Sequence, residues 1–177
     1  MDYTTLQSET IFEGKVFNVR IDTVEHRSGK RMRVDIVEHG GAVVLIPMDA
    51  ENRITFVDQY RHPTGGRILE LPAGTLEADE APLDCAIREC QEEIGQLPAS
   101  MVSLGGFYLA PGYSTEYLHI YLARDLHASP LPMDEDEDLR VVRLSLEQVN
   151  EHLRKGKFQD AKTLAGLYLA LQHLQHE

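Results

Sequence analysis

GTLEADEAPLDCAIRECQEEIG, residues 74–95, is the stretch on which the reading of this chain turns. On a helical wheel, residues 83–94 bring Leu83, Ala86, Ile87, Cys90 and Ile94 to one face and fan Glu89, Glu92 and Glu93 round the opposite flank. The pattern predicts an amphipathic helix with a carboxylate edge. Pro82 suits the first helical turn, where its missing N–H is not needed, and Gly95 suits the left-handed residue just past the end. The three glutamates therefore crowd the last turns, where the helix dipole disfavours anions. The like-charged pair Glu89 and Glu93, four apart, costs a further ~0.2–0.5 kcal/mol. Arg88 neutralises Glu92 at i,i+4 but cannot serve all three, whereas a divalent cation can.

Composition bounds the rest. A chain of 177 residues suits one domain with a full core and leaves room for a small extra subdomain. The formal net charge of −12 argues against a nucleic-acid backbone as partner, since that binding rests on clustered Lys and Arg. An anionic substrate then needs a cation as bridge, in agreement with the carboxylate edge. Cys85 and Cys90, five apart on one helix, point in different directions and read as small core residues of a reducing compartment. The first ten residues, MDYTTLQSET, lack a basic region followed by an apolar run, and no stretch approaches membrane-spanning length. A cytoplasmic protein with no membrane partner is expected.

Residues 6–39 are strand-like and hairpin-rich, with Phe17, Val19 and Ile21 alternating with polar positions and Arg27-Ser-Gly-Lys30 as a turn. They read as a small antiparallel β subdomain over residues 1–39, set before a main domain of residues 40–177 by the punctuation Gly40-Gly41. AVVLIP, residues 42–47, is a continuous apolar run of buried-strand type, followed by a turn at 49–52 and a partner strand over 54–60. ILELP, residues 68–72, then feeds Ala73-Gly74. Further strands are expected over 101–110, 117–126 and 139–144, with the loop PGYSTE (111–116) between the first two. The acidic run at 134–138, taken alone, is a solvated surface segment. Ser145 and Gln148 form a capping-box signal for a helix over 146–155. Asp160 caps a last helix whose Leu164, Leu167, Leu171 and Leu174 form an apolar stripe.

Gly74, Glu80, Arg88, Glu89, Glu92, Glu93 and Gly95 together resemble the Nudix signature G-x5-E-x7-R-E-U-x-E-E-x-G-U. The one visible departure is Gln96, where a bulky aliphatic is usual; it lies off the carboxylate edge and bears on local packing only. The resemblance implies an α+β Nudix fold, a mixed β-sheet sandwiched between helices (α/β/α), with the N-terminal antiparallel β subdomain attached. It also implies a hydrolase that attacks a nucleoside diphosphate linked to another moiety. Mg2+, with Mn2+ as a substitute, is the implied cofactor, and oxygen ligands suit it better than they suit zinc. By the same resemblance Glu89 and Glu93 are the main metal ligands, the Ala73 carbonyl a backbone ligand, and Glu92 a further ligand or water-holding group. Arg88 orients the carboxylates, and Glu80 either supports the site or is an ordinary residue ahead of the helix. A catalytically idle ligand-sensing module and a prenyl diphosphate isomerase share the fold; the intact glutamate set opposes the first and the helical position of both cysteines the second.

Within the family, the flanking residues resemble the ADP-ribose pyrophosphatase branch. Gln59-Tyr60-Arg61 ends a strand, ILELPAG sets Glu70 ahead of the signature, and Pro111 follows Gly95 in the loop that also holds Ser114 and Glu116. On that basis Arg61 is expected to pair with a phosphate, Glu70 to accept ribose hydroxyls, and Phe17 to stack on adenine across a homodimer. Val34-Asp35 replaces the Arg-Glu frequent in this branch, so a phosphate or base contact is either missing or supplied by Arg33. The branch draws its water-activating carboxylate from a late acidic loop, which points to Glu135 first and Glu137 second. The resemblance favours ADP-ribose as substrate, with other nucleoside diphosphate sugars next and oxidised nucleoside triphosphates or dinucleoside polyphosphates well behind.

Overall fold

The computed structural model of the chain describes residues 2–133 and 138–176, so the expected water-activating residues Glu135 and Glu137 lie outside the described residues. The N-terminal alternation becomes a three-stranded antiparallel meander of β1 (Tyr3–Glu13), β2 (Asn18–His26) and β3 (Arg31–Glu38). The expected turn between β2 and β3 holds Gly29 at φ 81°, a left-handed conformation that glycine adopts without Cβ strain. Asp22, buried on β2, accepts hydrogen bonds from Ser8 Oγ at 2.7 Å and Arg20 Nε at 3.1 Å, so the register is pinned by a polar contact. Every residue of β1 is exposed, including Leu6, Ile11 and Phe12.

By compactness the chain divides into two units. One comprises the chain up to Gly41 together with Phe107–Tyr117; the other comprises Ala42–Gly106 and the chain from Leu118 on. Patterning alone places 107–117 with the larger domain. The structure groups it with the first strands because backbone bonds tie it to β3: Val37 N donates to Tyr113 O at 2.7 Å and Thr115 N to Val37 O at 3.0 Å.

The larger unit is built on β4 (Ala42–Pro47), all six of whose residues are buried. The remaining elements are β5 (Arg53–Arg61), β6 (Gly66–Glu70), β7 (Ala73–Thr75), α1 (Pro82–Ile94), β8 (Gln96–Tyr108), β9 (Tyr117–Ala128), β10 (Leu139–Ser145), α2 (Leu146–Arg154) and α3 (Ala161–Leu174). One sheet runs β7-β4-β9-β8, with β4 antiparallel to β7 and parallel to β9; the other runs β10-β5-β6. A strand covered on both faces needs no polar side, which explains the unbroken AVVLIP run. Val43 and Leu45 pack with Cys85, Ala86, Cys90 and Ile94 of α1. A Cβ on Gly166 of α3 would fall 3.7 Å from Val44 and 3.9 Å from Ile46 on the opposite face. The mixed sheet thus lies between helices, as expected.

The capping box of Ser145 and Gln148 forms at α2, and the Asp160 side chain accepts from Thr163 N at α3. The α3 stripe differs from its prediction. Its buried face is Thr163, Gly166, Leu167 and Ala170, while Leu164 is exposed, because small residues let the helix approach Leu71 and β4 closely. Among the described residues no helix is long and apolar enough to cross a membrane.

Candidate active site

Pro82 opens α1 and Gly95, at φ 68°, closes it, its N–H reaching the carbonyls of Cys90 and Gln91. The helix buries Cys85, Ala86, Glu89, Cys90, Glu93 and Ile94. This corrects the wheel: Leu83 is exposed, while Glu89 and Glu93 lie on the buried side at 8% and 3% exposure. A wheel counts carboxylates as solvent-seeking, but here each has a partner. Glu93 Oε2 accepts from the Ala73 amide at 3.0 Å. Glu89 Oε1 accepts from Arg88 Nη1 at 2.6 Å and rests against β7 where Gly74 has no side chain; an ideal Cβ there would lie 1.8 Å from the Glu89 carboxyl carbon.

Arg88 binds more carboxylates than its i,i+4 partner. Its Nε and Nη2 grip both oxygens of Glu80 at 2.9 Å each, and Nη1 is shared by Glu89 and Glu92, the latter at 2.8 Å. The hydrogen bonds that Arg88 donates draw the Glu80 carboxyl down to about 2, and the same bonds raise Arg88 further above its ordinary value. Glu80 is therefore no ordinary residue before the helix. It also accepts from Glu77 N at 3.0 Å and clamps the 76–81 loop to α1.

Among the described residues, no three His, Cys, Asp or Glu side chains converge in a ready metal site. Glu89 is turned to Arg88 and Glu93 to Ala73. The donor set nonetheless fits a hard divalent cation: two nearly buried carboxylates four residues apart on one helix, a third beside them on Glu92, and a glycine cradle that the Glu89 carboxyl occupies. The Arg88 guanidinium faces Glu80, Glu89 and Glu92 together.

A second cluster adjoins it. Arg61, at the end of β5, donates from Nε and Nη2 to the two oxygens of buried Glu70 at 2.9 Å each, and Lys162 of α3 bonds the same Glu70 and lies 3.0 Å from Asp160. Burial opposes ionisation of Glu70, but the Arg61 bonds and the Lys162 charge outweigh it and hold the carboxyl below its usual range. The Arg61 guanidinium, raised first by Glu70, also feels the charge of Glu93, which places it near the glutamate edge. Both Glu70 oxygens are engaged, so a ribose hydroxyl would compete with two cations there. Sequence reasoning missed Lys162; its position two residues after the Asp160 cap, in the first turn of α3, was the only local signal.

The remaining expected contacts lie in the smaller unit. Phe17 is exposed, its ring 6.1 Å from that of Phe12. Pro111 is exposed in its loop, Ser114 bridges to Val37 and accepts from Glu116 N at 3.1 Å, and Arg33 is exposed on β3. Cys85 and Cys90 are free and buried.

Comparison with known proteins bears on these arrangements. A family model described as NUDIX domain matches residues 38–167. A methanol dehydrogenase activator from Bacillus methanolicus is 37% identical over 177 residues, covering 98% of this chain and 96% of that protein. An ADP-ribose pyrophosphatase from Bacillus subtilis (strain 168) is 35% identical over 177 residues, covering 99% and 94%. A solved structure of an ADP compounds hydrolase superposes with a TM-score of 0.88 at 25% identity, covering 99% of this chain and 96% of that one.

Proposed function

This chain belongs to the Nudix family, and from that premise we propose that it hydrolyses the diphosphate bond of ADP-ribose to AMP and ribose 5-phosphate, in a divalent-metal-dependent reaction. It is a hydrolase of phosphoanhydride bonds, and nucleoside diphosphate sugars are its substrate class. The observation that carries the reading is the buried Glu89–Glu93 pair of α1, set against the bare backbone of Gly74 and tied by Arg88 to Glu80 and Glu92.

Mg2+, with Mn2+ as a substitute, would be held by Glu89, Glu93, Glu92 and the Ala73 carbonyl, and supplies charge compensation for the diphosphate and acidification of water. Arg88 keeps the Glu89 and Glu92 carboxylates in place before a substrate arrives. Arg61 spends its Nε–Nη2 edge on Glu70, so its Nη1 side is the one to meet a phosphate oxygen. Glu70 and Lys162 fix the direction of that guanidinium. Glu135, with Glu137 second, takes the proton of the attacking water; each changed singly to Gln and assayed against pH separates the two. Phe17, Pro111, Ser114 and Glu116 contribute to holding the nucleoside and second sugar. The exposed apolar residues of β1 support a homodimer, and the free thiols suit a cytoplasmic setting.

A panel of ADP-ribose, GDP-mannose and a nucleoside triphosphate with Mg2+, scored by kcat/KM and product identity, tests the substrate. AMP and ribose 5-phosphate from ADP-ribose, at least about tenfold above GDP-mannose in kcat/KM, is the expected result; preference for the triphosphate sinks the assignment. A second reading rests on the relative named a methanol dehydrogenase activator. This chain would then act on an alcohol-oxidising dehydrogenase, and a methanol oxidation rate that does not respond to added chain removes that reading.

A further inference from the structure

Glu70, Leu71, Pro72 and Ala73 follow one another in the chain, and each is held by a different part of the larger unit. Glu70, the last residue of β6, is bonded by Arg61 and Lys162. The Leu71 amide donates to Thr163 Oγ1 of α3 at 2.9 Å, the Pro72 carbonyl accepts from the Leu45 amide at 2.8 Å, and the Ala73 amide donates to Glu93 at 3.0 Å. Leu71 and Pro72 are thus the crossing from the β10-β5-β6 sheet to the β7-β4-β9-β8 sheet. An amide in such a crossing has no ladder partner, and Leu71 is fully buried, so a side chain must satisfy its N–H.

Thr163 does so from a fixed direction. Itself fully buried, its hydroxyl accepts from Leu71 and donates to Asp160 Oδ2 at 2.6 Å. That same oxygen caps the Thr163 amide at 2.9 Å and lies 3.0 Å from Lys162 Nζ. One carboxylate oxygen therefore sets both the hydroxyl that holds Leu71 and the ammonium that holds Glu70. Helix stability alone does not call for Lys162, since a cation in the first turn opposes the helix dipole. Upstream, the gripped segment ends on the carboxylate that directs Arg61; downstream, it ends on the residue whose amide holds Glu93. The first turn of α3 is thereby the common footing of the Arg61 guanidinium and of the Ala73 backbone beside the glutamate edge.

We propose that Thr163 is a positioning residue, whose hydroxyl, oriented by Asp160, sets the Leu71–Pro72 crossing and through it the place of Ala73 against Glu93. The assignment rests on the metal-dependent hydrolase reading. Wild-type protein that turns over no nucleoside diphosphate sugar sinks that reading and this assignment with it, whereas an active wild type with an indifferent Thr163→Val sinks the positioning role alone. Thr163→Val keeps the shape and removes the hydroxyl. The expected result, at a temperature where both proteins are folded, is about tenfold weaker Mn2+ binding in a titration without substrate and a kcat for ADP-ribose about tenfold lower. Thr163→Ser, which keeps the hydroxyl, should stay within about twofold of wild type in both. A Thr163→Ser as impaired as Thr163→Val means that the methyl group matters and the hydroxyl does not, and overturns the proposal. A lowered Tm in Thr163→Val, with Mn2+ affinity, KM and kcat each within about twofold of wild type, means that the hydroxyl only stabilises the fold, and overturns it as well. If Thr163→Val does not fold, Thr163→Cys, whose thiol is a weak donor and acceptor, takes its place in the Mn2+ titration. An unchanged Mn2+ affinity there overturns the proposal equally.

Discussion

Glu93 accepts from the Ala73 amide with one oxygen, a contact that a glutamine of the same size keeps. Glu93→Gln should therefore leave Tm nearly unchanged while turnover of ADP-ribose falls roughly a thousandfold; a near wild-type rate in saturating Mg2+ would show that the metal assignment is wrong. Glu80 makes a prediction of a different kind. Held at about 2 in the folded chain against an ordinary 4.5, its carboxylate contributes stability that is complete above about 4.5 and is lost as the pH falls towards 2. Glu80→Gln should cost about 2 kcal/mol at pH 7, and the gap from wild type should narrow through that window in urea unfolding. A constant gap would mean that Glu80 acts by packing. The role of Glu80 was only half legible in the sequence. The spacing marked the residue, but the fold of the 76–81 loop decides that its carboxylate meets the Arg88 guanidinium. Thr163 was less legible still, since a threonine in the first turn of a helix reads as part of the cap until the Leu71 amide that it holds is in place.

At the level of elements, α1 was legible down to its first and last residues because Pro82 and Gly95 each obey a backbone rule that depends on nothing distant. Its buried face was not, because two carboxylates enter it with the partners they find on β7 and in Arg88. Lys162 was invisible for a related reason: its partner Glu70 lies 92 residues earlier, on β6. The α1–β7 contact supplies its own test. Gly74→Ala puts a methyl group where the Glu89 carboxylate lies, on a strand that cannot retreat from β4 without breaking its pairing. Activity should drop at least about a hundredfold, with a loss of stability of about 1–3 kcal/mol. Near wild-type kinetics in Gly74→Ala would mean that Glu89 has a second working position.

For the whole molecule, the order of strands and helices followed from apolar patterning and turn residues, while the grouping of residues 107–117 with the first strands did not, because it depends on pairing with β3 that no local pattern records. β1 raises the question of association. An edge strand exposed along its length, with Tyr3, Leu6, Ile11 and Phe12 among its exposed side chains, leaves backbone groups and apolar surface open to a second chain. Light scattering at micromolar concentration should give the mass of two chains, and Ile11→Lys should shift it towards one; a monomeric wild type removes the dimer and any site built from two copies. The thiols of α1 have a further use. Burial pushes Cys90 up to about 12 and raises Cys85 as well, so neither reacts while the helix lies on β4. Alkylation must wait for a transient lifting of α1, and its rate therefore clocks how often that helix departs. A ligand that settles on the glutamate edge should slow the clock without touching either sulfur.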